Sequence, residues 1–254
     1  MSYPAISSNT LFHFVNKREY LIDILENNFR ARYCLEKLDC IFPEETRENY
    51  WSIAIPMTCF CDLPLSNTYK HLEEYGGYGI GLTKDWGKEK GLSPILYVHD
   101  NSSLKKAVRA SVSALVYNII EGSEITKKMV EELNDVIYFT KPYEGDFHRN
   151  GKVIPNVRFY DEREWRFVPD DALRLSEENF KDPKILDAHY KILGDSRTLY
   201  FTPDDVQYIV VEKESEILPM YEEIKRIKSP KFSPDEIKKL QTKIICAERI
   251  KEDF

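Results

Sequence analysis

No stretch of this 254-residue chain stays apolar for the roughly 20 residues that a membrane helix requires. Its first residues, MSYPAISSNTLFHF, lack the basic start and apolar core of a secretory signal. A cytoplasmic protein with no membrane association is expected. Lysine and arginine are dispersed rather than gathered into a stripe, and the net charge is -7, which argues against a dedicated nucleic-acid binder. Cysteine is scarce and odd in number. Cys34, Cys40, Cys59, Cys61 and Cys246 fit no zinc spacing, so they read as reduced thiols and no metal site is expected. Also missing are a P-loop, a nucleophile elbow and a His-Glu-x-x-His pair. The GGYGIG run lies between a helix end and a strand, whereas the dinucleotide fingerprint follows a strand and opens a helix. There is no internal repeat and no low-complexity tract.

What the chain does contain is apolar mass. Hydrophobic residues make up 42% and aromatics 13%, with 16 Tyr and 13 Phe, too much for a disordered protein and enough for a substantial core. LFHF reads as a short strand. After it, Asn16 and Glu19 stand at capping-box spacing before Leu21, Ile24, Leu25 and Phe29 at helical intervals. WSIAIPMTCFCDLPL reads as a strand ending in a turn at Pro64, with Ser66 able to cap the next helix. That helix ends at Gly76-Gly77, and YGIGL follows as a strand whose Gly79 and Gly81 leave one face bare, open to a ligand, another backbone or a helix packed flat against it. PILYV adds a strand. Helices are then expected over Ser103 to Glu121, with Leu104, Val108, Val112, Leu115 and Ile119 on one side, and around Met129, Leu133, Val136 and Ile137. Tyr143 to Arg158 has no period and reads as a long exposed loop. TLYFTPDDVQYIVVE supplies two strands around a turn, a helix carries Ile217, Leu218, Tyr221 and Ile224, and a charged tail begins at Ser229.

Strands and helices mix without a strand-helix-strand rhythm. The expected class is therefore α+β, with mostly antiparallel sheets and flanking helices. One domain over 1-254 is expected, with 103-140 a helical insertion and 214-254 a helical, charged C-terminal segment.

Three features are candidates for chemistry. His13 is flanked by aromatics on the first strand, where it either bonds within the sheet or reaches a ligand. Tyr75 and Tyr78 flank the glycine pair, where a ring could stack on a flat ligand or simply pack. The third is YDEREWRF, Tyr160 to Phe167. On a strand Glu162, Glu164 and Arg166 share one face, and Arg163, Trp165 and Phe167 the other. Such a row is either a solvated face of little energetic weight or a site whose carboxylates hold a sugar hydroxyl and stabilise charge at an anomeric carbon.

Taken in order, LFHF with its helix, TCFCDLPLSNTYKHLEEYGGYGIGLTKDWG, SPILYV, FYDEREWRF and LYFTPDDVQYIVVE resemble the AbiGi family of bacterial abortive-infection proteins. That resemblance implies a role in phage resistance, as an antitoxin paired with a nucleotidyltransferase-like toxin. A second resemblance, to ADP-ribosyltransferases, rests on the order of His13, Tyr78 and Glu164. It implies NAD as substrate, His13 and Tyr78 (or Tyr75) with Arg166 on the cofactor, Glu164 as the catalytic carboxylate with Glu162 assisting, and the 143-158 loop on the target. Two functions follow as expectations: an NAD-consuming anti-phage enzyme, or a non-catalytic antitoxin or phage sensor that binds a toxin or a phage protein.

Overall fold

The computed structural model describes residues 8-38, 41, 52-121, 134-149 and 152-253, and no side chains for 115-121, 148-149, 152 and 253. The expected positions Cys40, Met129 and Leu133 lie outside the described residues, as do the side chains of Leu115 and Ile119. In chain order the first elements are β1 (Thr10–Val15), α1 (Arg18–Asn27), β2 (Phe29–Arg30), β3 (Arg32–Lys37), β4 (Ser52–Cys61), α2 (Tyr69–Tyr75), β5 (Tyr78–Thr83), α3 (Lys84–Glu89), β6 (Ser93–Pro94), β7 (Leu96–Val98) and α4 (Ser103–Glu121). There follow β8 (Thr140–Pro142), β9 (Gly145–Arg149), β10 (Lys152–Val157), β11 (Glu164–Phe167), β12 (Leu175–Ser176), α5 (Glu177–Lys181), α6 (Pro183–Leu193), β13 (Thr198–Leu199), β14 (Val206–Val211), α7 (Ile217–Lys228), α8 (Pro234–Gln241), β15 (Ile244–Cys246) and α9 (Ala247–Asp253).

The protein is α+β with mostly antiparallel strand pairing, while β14 with β15 and β7 with β8 pair in parallel. Among those residues no helix is long and apolar enough to cross a membrane. By contacts the chain forms two compact units, each assembled from separated segments. Unit 1 holds Met1–Arg30, Thr58–Ser93 and Thr198–Phe254; unit 2 holds Ala31–Met57 and Pro94–Arg197.

In unit 1, β5 lies between β1 and β14, antiparallel to both. The register sets Phe12 opposite Gly81 and Phe14 opposite Gly79. A Cβ on Gly79 would fall 2.7 Å from the Phe14 ring, and one on Gly81 2.7 Å from the Phe12 ring. The bare face is thus covered by the neighbouring strand's own rings rather than by a ligand or a helix. Those rings continue into a core with Cys61, Leu63, Leu72, Val210 and Ile250, while His13 of β1 meets Phe29 and Phe60, and Phe29 packs in turn on Trp86 and Phe201. The expected capping box at Asn16 does not form, because α1 begins at Arg18 after Lys17, which makes no side-chain cap. The segment after Ser229 is not a tail. Ser233 and Glu236 cap α8 reciprocally, as the spacing Ser-x-x-Glu allows, and β15 then adds to β14 in parallel.

In unit 2, the first half of β4 carries β3 on one edge and β12 on the other, over a core of Tyr33, Ala54, Leu175 and Leu193 with Leu186 and Tyr190 of α6. Within the expected loop 143-158 the chain forms a hairpin instead, β9 paired antiparallel with β10. Asn150-Gly151, the two residues between those strands, is a strong hairpin signal in sequence. The expected single strand over EREWRF is also shorter. Phe159–Glu162 is a 3-10 turn, Arg163 has φ 46 in the left-handed region, and only Glu164–Phe167 is extended.

Candidate functional site

The charged centre of unit 2 is built by four segments far apart in sequence, which supply Glu36, Tyr97, Lys141 with the Tyr138 carbonyl, and Glu162 to Arg166. Parallel pairing of β7 with β8 sets Tyr97 opposite Lys141. The 3-10 turn brings Glu162 up to the Lys141 ammonium, whose Nζ donates to Glu162 Oε2 at 2.6 Å and to Glu164 Oε2 at 3.1 Å. The other oxygen of Glu164 accepts from Arg166 Nε at 2.8 Å. Arg166 also donates to the Tyr138 carbonyl at 2.6 Å and to Glu36 Oε2 at 3.3 Å. The backbone N–H of Glu164 donates to the Tyr97 hydroxyl at 2.9 Å.

Glu164 and Arg166 are 6% and 1% exposed, so the solvated-face reading of this row is wrong for both. They do share one face of β11, as alternation requires. Glu162 reaches the same centre from the preceding turn, not from the strand. Burial by itself would push the Lys141 ammonium down, but Glu164, Glu162 and Glu36 outweigh it and hold Lys141 well above the usual lysine range. Burial pushes the Tyr97 hydroxyl up, and burial together with Glu36 raises the Cys34 thiol to about 11. Ions buried this deeply give back in mutual attraction little more than their lost hydration, so the cluster fixes geometry more than it adds stability. Next to it lies an aromatic cluster. Tyr160 stacks on Tyr143 at 5.4 Å and meets the edge of Tyr97 at 5.2 Å, and Lys141 sits 4.8 Å over the Phe159 ring.

Glu162, Glu164 and Arg166 are therefore brought together. His13, Tyr75 and Tyr78 belong to unit 1. His13 Nδ1 lies 2.7 Å from the Cys59 carbonyl, and its ring packs on Phe29 and Phe60. The Tyr78 hydroxyl donates to Glu216 at 2.8 Å and is 3.5 Å from Glu212, and burial pushes it up, aided by Glu216. Tyr75 stacks on His71 at 5.5 Å. Sequence reading missed Lys141, Glu36 and Tyr97, for which no local pattern exists.

Fold and centre together define an α+β protein whose charged side chains face one another in a network buried at Glu164 and Arg166. No solved structure matches the chain. The abortive phage resistance protein AbiGi of Lactococcus lactis subsp. cremoris is 29% identical over 255 residues, covering 89% of this chain and 99% of its own length. Residues 27-212 match the family described as "Putative abortive phage resistance protein AbiGi, antitoxin", and the chain belongs to that family. The matched span takes in Glu36, Tyr97, Lys141, Glu162, Glu164 and Arg166 and leaves His13 outside.

Proposed function

We propose that this chain is the antitoxin of a two-gene phage-defence system, a non-catalytic protein that neutralises a toxin protein by binding it. The observation that carries the reading is the state of Glu164. Both of its oxygens are committed to buried cations, one to Arg166 and one to Lys141. A ribose hydroxyl of NAD would have to reach a carboxylate that is almost wholly buried and already ion-paired through both oxygens. The family description, which includes the word antitoxin, supports the same reading. So does the relative named for abortive phage resistance.

The test has two arms. The purified chain is incubated with labelled NAD and cell extract, and the gene beside its own is expressed with and without it. Neutralisation of a growth-arresting neighbour, without nicotinamide release, is the expected result. Nicotinamide release that vanishes in Glu164→Gln would establish the enzyme instead.

A further inference from the structure

Three non-glycine residues among those described have positive φ: Asn28, Asn156 and Arg163. Asparagine tolerates that region; arginine does so at a steric penalty that glycine escapes. The chain nevertheless holds an arginine there, at φ 46, between two glutamates of the buried network. Among the described residues its guanidinium has no ion-pair or hydrogen-bond partner, whereas the nearby Arg158 is paired with Asp161 at 3.7 Å. No ion pair or hydrogen bond of the side chain among the described residues offsets the penalty.

The turn that presents Arg163 is fixed at several points. The Arg163 N–H donates to the Tyr160 carbonyl at 3.2 Å, and the Tyr160 N–H to the Tyr143 carbonyl at 3.2 Å. Phe159 is buried beneath Lys141, which also holds Glu162. Tyr160 is stacked on Tyr143 yet remains 46% exposed. An immobilised, uncovered tyrosine next to an unpaired arginine is the side-chain combination that dominates binding at protein interfaces, since little freedom remains to be lost when a partner covers it.

We propose that Tyr160 and Arg163 form the centre of the surface that grips the toxin. The ring covers an apolar patch of the toxin, and the guanidinium takes one of its carboxylates. A protein fits better than a nucleic acid, because the chain carries a net charge of -7, which repels phosphate. This inference rests on the antitoxin reading.

The test uses the purified full chain, the purified product of the adjacent gene and calorimetric titration. Tyr160→Ala and Arg163→Gly are each expected to weaken binding at least tenfold. Arg163→Gly serves as the decisive variant, because glycine relaxes the left-handed position and should leave the melting temperature equal or higher. If the wild-type chain binds nothing, the antitoxin reading and this inference fall together. If the wild type binds and Arg163→Gly binds equally well, only this inference falls.

Discussion

Arg166 Nε lies 2.8 Å from Glu164 Oε1, two residues along the same strand, with both side chains buried. A pair this deep is held less for its own attraction than because neither member can be left alone. Arg166→Met should therefore cost about 3–5 kcal/mol, since it takes from Glu164 and Glu36 the buried cation they share. Adding Glu164→Leu to that variant should recover part of the loss, so that the two changes fall short of additivity by at least about 0.5 kcal/mol. Urea denaturation of the four proteins in the cycle measures it, and strict additivity would show that the pair does not act as a unit.

Tyr97 supports the same strand from a different side. Its hydroxyl accepts the Glu164 backbone N–H at 2.9 Å, and Phe at this position keeps the ring while orphaning that donor. Tyr97→Phe should lower stability by about 1–3 kcal/mol, the penalty of an unsatisfied buried polar group. Hydrogen exchange at the Glu164 amide should accelerate in step. An unchanged exchange rate would mean that another acceptor takes over.

The glycines of β5 are constrained by rings rather than by a ligand. A methyl at Gly79 would meet Phe14 at 2.7 Å and the His13 carbonyl at 3.0 Å, so Gly79→Ala should cost about 1–3 kcal/mol through overpacking. Gly145 provides the contrast. There a Cβ finds only the Phe159 ring at 3.4 Å, and the same substitution should be near neutral. Thermal melts of the two variants compare them directly, and equal losses would remove the role assigned to the Phe rings.

These sites show where sequence reading succeeds and where it stops. Alternation along a strand put Glu164 and Arg166 on one face, and alternate glycines marked a bare surface on β5, because both patterns repeat every second residue. What covers the glycines depends on register against β1, which no local pattern carries. The centre itself was hidden for the same reason. Lys141 is 23 residues from Glu164, Tyr97 is 67 away, and Glu36 is 130 from Arg166, so their meeting is a property of the folded chain alone. The hairpin at β9 and β10 could have been read. Its Asn150-Gly151 pair outweighs the lack of apolar periodicity that suggested a loop.

Lys228 gives unit 1 a pH dependence of unusual sign. Its ammonium is buried, donates to the Leu25 carbonyl at 2.6 Å and sits 4.9 Å over the Phe201 ring. Burial first, and Lys231 second, push it down from 10.5 to about 8. The folded value thus lies below the unfolded one. Below pH 8 both states hold the proton and the penalty of burying the charge is constant. Between pH 8 and 10.5 the unfolded chain binds more protons than the folded one, so stability rises with pH through that window. At about 1.4 kcal/mol per pH unit the gain is at most on the order of 3 kcal/mol. It is read most cleanly up to pH 9, above which Cys34, raised from 9.0 to about 11, and then Tyr33, pushed up to about 12, act in the opposite direction. Denaturant midpoints at pH 7, 8, 8.5 and 9 should climb above pH 8 for the wild type and stay level for Lys228→Met, which keeps the volume and removes the titrating group. A wild-type curve that is flat over this range would mean that Lys228 reaches water in the folded protein and carries no such penalty.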